Sequence, residues 1–309
     1  MSDPLAFGLE DFQALYRRLH ASAGADPGPR GALDRITGDL IRQAAGEVRT
    51  GRTVSMAAPV ETRQEPDCPE PARHWLTAPA PPESPADGLH FARDRLTMNV
   101  HSNVDSHLDA LCHVIWEGTL YGGTPPSTLT PSGATALSVD LASDGIVGRG
   151  VLLDIPSLHG VPWLEPGTQV TTEDLVAAES AQDVRVGPGE LLFVRVGHRR
   201  RRRALGPWDT AQARAGLHPT AMEFLAERDV AVLGCDSNSD AAPATIPQVA
   251  FPVHVLAIHA MGIHLLDYLQ FEDLTPLCAE LGRWSFLCVV APLRVPAATG
   301  SPVNPIAIL

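Results

Sequence analysis

The stretch from His101 to His113 constrains this chain more than any other part of its sequence. It holds three histidines and two aspartates. His107 and Asp109 are two residues apart, so an extended strand would place both side chains on one face of a sheet. A neutral imidazole beside a carboxylate can bind a divalent metal such as Zn or Mn, and His113 follows closely enough to be a third ligand or a proton-transfer group. Ordinary polar residues around a turn are the alternative, but few cores need so many titratable groups so close together.

The composition is that of a globular protein with an excess of acidic residues. The chain has 309 residues, 44% of them hydrophobic, which is enough for a sizeable core in one large domain or two small ones. The 23 Lys and Arg against 36 Asp and Glu give a formal charge of −13, which argues against general nucleic-acid binding. No apolar run approaches the roughly 18 residues of a membrane span, and the N-terminus lacks the basic and apolar regions of a secretory signal. The five cysteines are scattered without a CxxC pair, which favours a reduced, cytoplasmic protein.

Hydrophobic periodicity predicts an α/β chain without an obvious linker between two domains. Helices are predicted at residues 8–22, 38–50, 172–182, 219–228, 254–261 and 273–281. Strands are predicted near residues 53–56, 91–100, 150–155, 189–197, 230–234 and 285–291, and after Gly262.

Two further segments have no clear periodicity. Residues 57–90 are rich in proline and are interpreted as an irregular surface loop, or as an arm over the active site or over a neighbouring subunit. The arginine run 199–203 is interpreted as a solvated loop, with a clamp for an anionic substrate or another subunit as the alternative.

A second group of candidate site residues lies between His254 and Asp267. Asp267 shares one face of a predicted strand with Leu265, and a buried carboxylate there needs a partner. A metal, or a histidine bound to one, would supply that partner, as would a backbone donor or an arginine. His259 and His264 are interpreted as core or surface histidines.

The candidate substrate-binding residues are Trp116, Tyr121 and Asp236. The two aromatic side chains could line a pocket or pack in the core. Asp236 follows a buried strand, where small polar residues often line a site in α/β folds, although an Asx turn is an equal alternative. There is no nucleophile elbow, phosphate-binding loop or dinucleotide fingerprint, and Cys112 is predicted to pack as a small hydrophobic residue rather than to act as a nucleophile.

Residues 106–113 resemble the signature of the cyclase family of metal-dependent hydrolases, which includes bacterial kynurenine formamidase and isatin hydrolase. The branch that they fit reads H-G-x-x-x-[TS]-H-[LI]-D-A-L-C-H; His101 begins it, and Gly118 and the run 121–123 end it. Segments at 50–55, 148–154, 189–197 and 300–305 also resemble the family. The resemblance covers most of the chain from about residue 30 to its end.

The resemblance implies a swivelling β/β/α fold in a single domain, residues 31–309, preceded by an N-terminal helical extension, residues 1–30. It implies a homo-oligomer, a dimer or a tetramer. It also implies that His107 and Asp109 bind the metal, that His113 is the general acid/base, and that His254 corresponds to the later site histidine of the family.

Three positions depart from the family pattern. Asn103 stands where the commoner branch has a ligand histidine, Ser102 replaces a glycine, and Asp267 stands where the family usually has Glu. His101 would replace the missing ligand only if a bulge swings it inward. We therefore expect one divalent metal, Zn or Mn, with His101, His254 and Asp267 completing its ligand set.

The expected function is metal-dependent hydrolysis of a C–N bond in a linear or cyclic amide, or of a lactone. A metal-activated water would attack while His113 moves the proton. The partner is a small-molecule substrate, not nucleic acid or a membrane. Two alternatives stay open: a metal-dependent lyase or cyclase that acts on a biosynthetic intermediate, and a catalytically degenerate relative that binds a ligand.

Overall fold

A computed structural model describes residues 7–22, 28–78 and 91–309. The helices are α1 (Leu9–Ser22), α2 (Gly38–Ala44), α3 (Ile155–Leu158), α4 (Thr172–Ala181), α5 (His198–Leu205), α6 (Ala221–Glu227), α7 (Pro252–His254, continued by a π-helical segment Val255–Ala260) and α8 (Leu274–Leu281). The strands are β1 (Thr53–Ser55), β2 (Arg73–Ala78), β3 (Arg93–Thr97), β4 (His107–Asp109), β5 (Leu129–Thr130), β6 (Gly133–Ala134), β7 (Ile146–Asp154), β8 (Gln169–Val170), β9 (Leu191–Arg195), β10 (Gly216–Leu217), β11 (Val232–Cys235), β12 (His264–Asp267), β13 (Ser285–Val290), β14 (Gly300–Pro302) and β15 (Ile306–Ile308). The predicted α/β class is confirmed.

A nine-stranded mixed sheet forms the centre of the described structure. Its strand order is β1-β15-β13-β7-β9-β11-β12-β4-β14. The middle strands β7, β9, β11 and β12 are parallel to one another, and the strands on both sides of them pair antiparallel. All residues of β9 and β11 are buried, which is why these strands read as continuous apolar runs and not as alternating ones.

The connection between the last two strands shows that the sheet is curled. Only residues 303–305 separate β14 from β15, and they span at most about 14 Å. In a flat sheet these strands would be seven spacings apart, or about 33 Å. Backbone bonds close the gap: Val303 donates to the carbonyl of Ser106 at 3.1 Å, and Met56 donates to Pro305 at 2.8 Å. The curling encloses a core and places β4 beside both β12 and β14.

Helices cover the outer faces of the sheet. Phe12, Leu15 and Leu19 of α1 are buried in the same hydrophobic cluster as the sheet strands, and α1 packs on the π-helical segment after α7. Helix α4 begins with a capping box in which Thr171 and Asp174 each bond the backbone of the other. None of the helices in the described part of the chain is both long and apolar enough to cross a membrane.

Two predicted loops contain regular structure. The arginine run forms α5, so the prediction of a loop there is wrong; arginine favours helices, and Asp236, distant in sequence, accepts bonds from the backbone N–H groups of Val196, Gly197 and His198 at the helix start. The proline-rich segment includes β2, which pairs with β3 in a hairpin. Trp75 and Leu96 of this hairpin are exposed. Residues 79–90 of the predicted loop lie outside the described residues.

His264 on β12 generates a prediction about acid stability. It is fully buried, and neither ring nitrogen has a hydrogen-bond partner among the described residues. Burial lowers the pKa of His264 to about 4, below the value of about 6.5 in an unfolded chain. As pH falls the unfolded chain takes up this proton first, so the free energy of unfolding should decrease between pH 6.5 and 4, by on the order of 3 kcal/mol.

The variant His264→Leu should therefore lose stability less steeply over that range than the wild type does. Urea denaturation at a series of pH values measures the slope, and the exposed His20, replaced by Gln, is the matched control. Equal slopes in the wild type and in His264→Leu would contradict the prediction.

Candidate metal and catalytic site

Strand β4 carries the centre of the site. His107 and Asp109 point to the same face, as the strand period requires, and Asp109 is completely buried. In the sheet, His107 is the Cα partner of Asp267 on β12, and Asp109 is the partner of Gly300 on β14. The register of three short strands thus brings together residues that are far apart in the sequence.

His107 is oriented so that one ring nitrogen remains free for a ligand. Its Nδ1 lies 2.8 Å from the carbonyl of Asp105, to which it donates, and its Nε2 lies 3.6 Å from Oδ1 of Asp109. Metal-binding histidines commonly have the second nitrogen fixed in this way, which sets the tautomer and the ring orientation.

His254 has the same arrangement on α7. Its Nδ1 lies 2.6 Å from Oδ2 of Asp240, and its Nε2 lies 3.5 Å both from Oδ2 of Asp109 and from Oδ2 of Asp267. The Asp240 carboxylate also accepts the backbone N–H groups of Val253 and His254, so it fixes both the helix start and the imidazole. Asp240 therefore orients a ring that faces the site.

Asp267 is buried and held by the loop that follows β11. Asn238 donates to its Oδ2 at 2.9 Å, and Ser239 donates to its Oδ1 through the hydroxyl at 2.6 Å and the backbone N–H at 3.2 Å. Burial raises the pKa of Asp267, and the nearby negative charge of Asp109 adds to this in spite of the opposing His254. A buried Asp267 was predicted to need a partner. Asn238 and Ser239 of the loop after β11, together with His254, are its partners.

His101 contacts Asp109 instead of leaving its nitrogens free. Its Nδ1 lies 2.7 Å from Oδ1 of Asp109, and its Nε2 lies 2.9 Å from Oγ1 of Thr299. Gly300 makes room for this ring, because a Cβ there would lie 2.7 Å from Cε1 of His101. His101 reaches the site, and with both nitrogens occupied it orients Asp109.

His113 lies parallel to His101, with the ring centroids 3.8 Å apart. Its Nε2 is 4.0 Å from Oδ1 of Asp109, and its side chain is 30% exposed, which leaves one edge accessible. Burial lowers the pKa of His113 to about 4, against the raising effect of Asp109. The ring is therefore neutral near pH 7 and can accept a proton.

The charges of the site fit a bound cation. Burial would raise the pKa of Asp109, but His101, His254, His107 and His113 hold it well below its usual range. Its Oδ2 is nevertheless buried without a hydrogen-bond partner among the described residues. Burial would lower the pKa of His254, but Asp109, Asp240 and Asp267 raise it well above its usual value. Without a metal, the protonated His254 balances part of the negative charge of these carboxylates. A bound metal ion would balance the same charge in its place.

The distances between the potential ligand atoms also fit a metal site. Ligand atoms about 2.1 Å from a tetrahedral Zn lie about 3.4 Å apart. Three pairs of potential ligand atoms have nearly this spacing: His107 Nε2 lies 3.6 Å from Oδ1 of Asp109, and His254 Nε2 lies 3.5 Å from Oδ2 of Asp109 and from Oδ2 of Asp267. Imidazole and carboxylate are ligands that both Zn and Mn accept.

Two sets of side chains have the spacing of a metal site, and they share Asp109. One consists of His107, Asp109 and Asp267, and the other of His101, Asp109 and His113. The first set fits better, because all three of its residues are buried, the Nε2 of His107 is free and the set adjoins His254. In the second, both nitrogens of His101 already have partners and the two rings stack.

An open cavity of about 480 Å³ leads to these side chains. Its polar end is formed by His101, His107, Asp109, His113 and His254. Much of the remaining lining is apolar and is formed by Val114, Ile115, Trp116, Val249, Phe251 and Val255. A cavity of this size and lining suits a small substrate with an aromatic or aliphatic body.

Of the three predicted substrate-binding residues, the structure places only Trp116 in the cavity wall. Tyr121 is buried elsewhere against Gly262, where a Cβ on that glycine would lie 2.5 Å from its ring. Asp236 does not line the cavity either, since its carboxylate caps the start of α5. Cys112 is fully buried, and burial raises the pKa of its thiol to about 11, as expected for a packing residue.

Sequence reasoning missed Asp240, Asn238 and Tyr268. The loop 234–240 was a candidate, but no periodicity within it distinguishes the aspartate that caps α5 from the one that holds His254. Tyr268 lines the cavity immediately after Asp267, with a backbone φ of 54° that a tyrosine rarely adopts. Nothing in the sequence indicates that conformation.

The chain belongs to the cyclase family, because residues 47–240 match the family model described as "Putative cyclase". A crystal structure described as a novel cyclase is 29% identical, with a TM-score of 0.84 over 95% of this chain and 99% of that chain. No curated protein sequence matches the chain. The predicted family is confirmed.

Two isatin hydrolase structures share the fold. One, bound to the product analogue thioisatinate, is 20% identical with a TM-score of 0.56, over 87% of this chain and 95% of that chain. The other, isatin hydrolase A from Labrenzia aggregata bound to benzyl benzoate, is 22% identical with a TM-score of 0.58, over 85% of this chain and 94% of that chain. At these identities the likeness concerns the fold.

The role of Asp240 can be tested by replacing it with Asn. The amide is nearly isosteric, but it removes the charge that holds His254, and we expect divalent-metal affinity to fall by roughly 10–100-fold. Titration of metal-depleted protein with Zn or Mn, in competition with a chelator, measures the affinity. The exposed Asp144, replaced by Asn, is the control for a lost surface charge. Equal affinity in Asp240→Asn and the wild type would contradict this role.

Proposed function

We propose that this chain is a divalent-metal-dependent hydrolase that cleaves an amide or a lactone in a small, largely apolar substrate. One observation carries the proposal above all. The buried Oδ2 of Asp109 has no hydrogen-bond partner among the described residues, yet it lies 3.5 Å from the Nε2 of His254 at the polar end of an apolar cavity. A cation there would satisfy that oxygen.

His107, Asp109, His254 and Asp267 would hold the metal, which is Zn or Mn on the evidence of its ligand types. When bound, such a metal polarises a carbonyl oxygen and lowers the pKa of water toward neutrality. His101 fixes the rotamer of Asp109 through its 2.7 Å contact, and Asp240 fixes the ring of His254.

His113 is the general acid/base of the proposal. It lines the cavity, its ring is neutral near pH 7, and stacking on His101 fixes its plane. The ring takes a proton from the attacking water and then passes it to the leaving nitrogen or oxygen, so one group serves both steps. Trp116 and Phe251 offer apolar surface to the body of the substrate and reduce the access of bulk water.

Metal removal and the variant His113→Ala together test this proposal. Substrates for the assay are isatin, N-formyl anilides and aryl lactones, which present the two bond types in small aromatic molecules. Chelation should abolish hydrolysis, and Zn or Mn should restore it. His113→Ala should lower kcat by roughly 10²–10⁴-fold while the bound metal remains stoichiometric by elemental analysis.

The exposed His20, replaced by Ala, is the matched control and should keep full activity. Full turnover by metal-free protein would refute metal dependence. An unchanged kcat in His113→Ala would refute the proton-transfer role without affecting the metal site.

A lyase or cyclase reaction is the second candidate, because the family model and the 29% identical structure are both described as cyclases. The same residues could move a proton on a bound substrate without adding water. Turnover in ¹⁸O-labelled water separates the two reactions. Label in the product supports hydrolysis, and product without label supports the lyase or cyclase.

A further inference from the structure

The arginine run on α5 borders a second pocket that is separate from the catalytic cavity. This arginine pocket has a volume of about 360 Å³ and shares no lining residue with the cavity. Four arginines contribute to its lining: Arg63, Arg199, Arg202 and Arg203.

Arg199 is the unusual member of this group. It is only 6% exposed, yet its guanidinium has no carboxylate partner among the described residues. Its Nε donates to the carbonyl of Leu269 at 3.2 Å, and its Nη2 donates to the carbonyls of Tyr268, at 2.6 Å, and Val104. Nη1 has no acceptor within the described part of the chain. Buried guanidinium groups are ordinarily in direct contact with an acid, and this one has no such contact among the described residues.

The acids near Arg199 are engaged with other groups. Asp236 and Asp105 lie close enough to favour its charge, but Asp236 accepts the backbone N–H groups at the start of α5 and Asp105 accepts from the backbone of Glu61 and the hydroxyl of Ser102. Arg202 is bound by Asp67, at 2.5 Å and 3.1 Å, and by Glu61 at 3.2 Å. Glu61, the one carboxylate among the described lining residues, also accepts from Arg63. These acids are therefore already shared with other cations. Burial and the positive charge of Arg202 lower the pKa of Arg199 to about 10, which shows that its surroundings disfavour the charge.

We propose that the arginine pocket binds a small oxyanion, the phosphate or carboxylate group of a metabolite, with Arg199 at its base and Arg203 at its rim. The planar guanidinium matches such oxyanions in shape and charge. The volume admits a small molecule and is at the lower end of the range for ligand pockets. The bound oxyanion would form the ion pair that Arg199 lacks among the described residues.

The pocket also adjoins the catalytic site through the backbone. Arg199 holds the carbonyl of Val104, three residues before His107, and the carbonyl of Tyr268, the residue after Asp267. An anion on Arg199 therefore acts on a side chain that is bonded to the backbone before β4 and to the backbone after β12. This gives an anion bound outside the cavity a direct route to the catalytic residues.

Isothermal titration calorimetry of the metal-loaded protein at low ionic strength tests the proposal. The probes are inorganic phosphate and acetate, with glycerol as a neutral control. Arg203→Gln removes a charge at the rim and should weaken binding roughly threefold or more, and Arg199→Lys should weaken it roughly tenfold. Arg200→Gln is the matched control, because Arg200 is an exposed arginine on the same helix that lines a different pocket.

The proposal is supported by saturable binding in the wild type and in Arg200→Gln, with weaker binding in Arg203→Gln. If Arg199→Lys does not fold, the Arg203→Gln and Arg200→Gln pair decides. Phosphate binding alone identifies a phosphorylated ligand, whereas equal binding of acetate identifies a carboxylate. Absence of saturable binding to either anion overturns the proposal, and so does an affinity that is the same in all variants, which would place the anion at the metal.

Discussion

The buried carboxylate of Asp109 is the interaction on which the rest of the site depends. An ionised carboxylate without exposed surface is costly unless charges and hydrogen bonds surround it. His101 supplies one bond at 2.7 Å, while His107 and His254 face it from 3.5–3.6 Å. These distances leave room between the donors, and one oxygen has no hydrogen bond among the described residues. The arrangement fits the proposed site, in which a cation would complete the surroundings of this carboxylate.

The curled sheet is what makes that arrangement available. His107 and Asp109 lie on a strand of only three residues, which could not position them without neighbours on both sides. The strand β12 supplies Asp267 on one side, and β14 supplies the small Gly300 on the other, where the ring of His101 lies. Because β14 and β15 are joined by three residues, the same short connection closes the sheet and holds β14 beside β4.

The backbone of Tyr268 shows how the structure stabilises this junction. A left-handed conformation in a non-glycine residue costs on the order of 1–3 kcal/mol. Tyr268 donates to the carbonyl of Ser237, and its own carbonyl accepts from the hydroxyl of Ser106 and from Arg199. A hydrogen bond from a charged group contributes about 1.5–3 kcal/mol, so the contact with Arg199 alone is comparable to the strain. The most buried arginine of the run thus supports the turn beside Asp267.

Helices, strands and shared strand faces follow from local sequence patterns and could be predicted. The roles of individual side chains that depend on contacts between distant residues could not. The spacing of His107 and Asp109 predicts a shared strand face, and the periodicity at residues 8–22 and 172–182 predicts the helices that the structure has as α1 and α4. The sequence predicts a loop at the arginine run because the start of its helix is stabilised by Asp236, 38 residues after His198. The loop after β11 contains both Asp236 and Asp240, four residues apart, and the two carboxylates have unrelated roles. Only the fold distinguishes them, since each acts on a different helix.

The departures from the family pattern acquire a physical meaning in this setting. Asn103, at the position of a ligand histidine in the commoner branch, lines the cavity, and His101 occupies the space beside Asp109. Its Nδ1 contacts the carboxylate oxygen that a second cation would otherwise share, and its Nε2 is held by Thr299. The ring also stacks on His113 and so fixes the plane of that imidazole. In the proposed site, this pattern favours one metal and leaves His113 as the group that moves a proton.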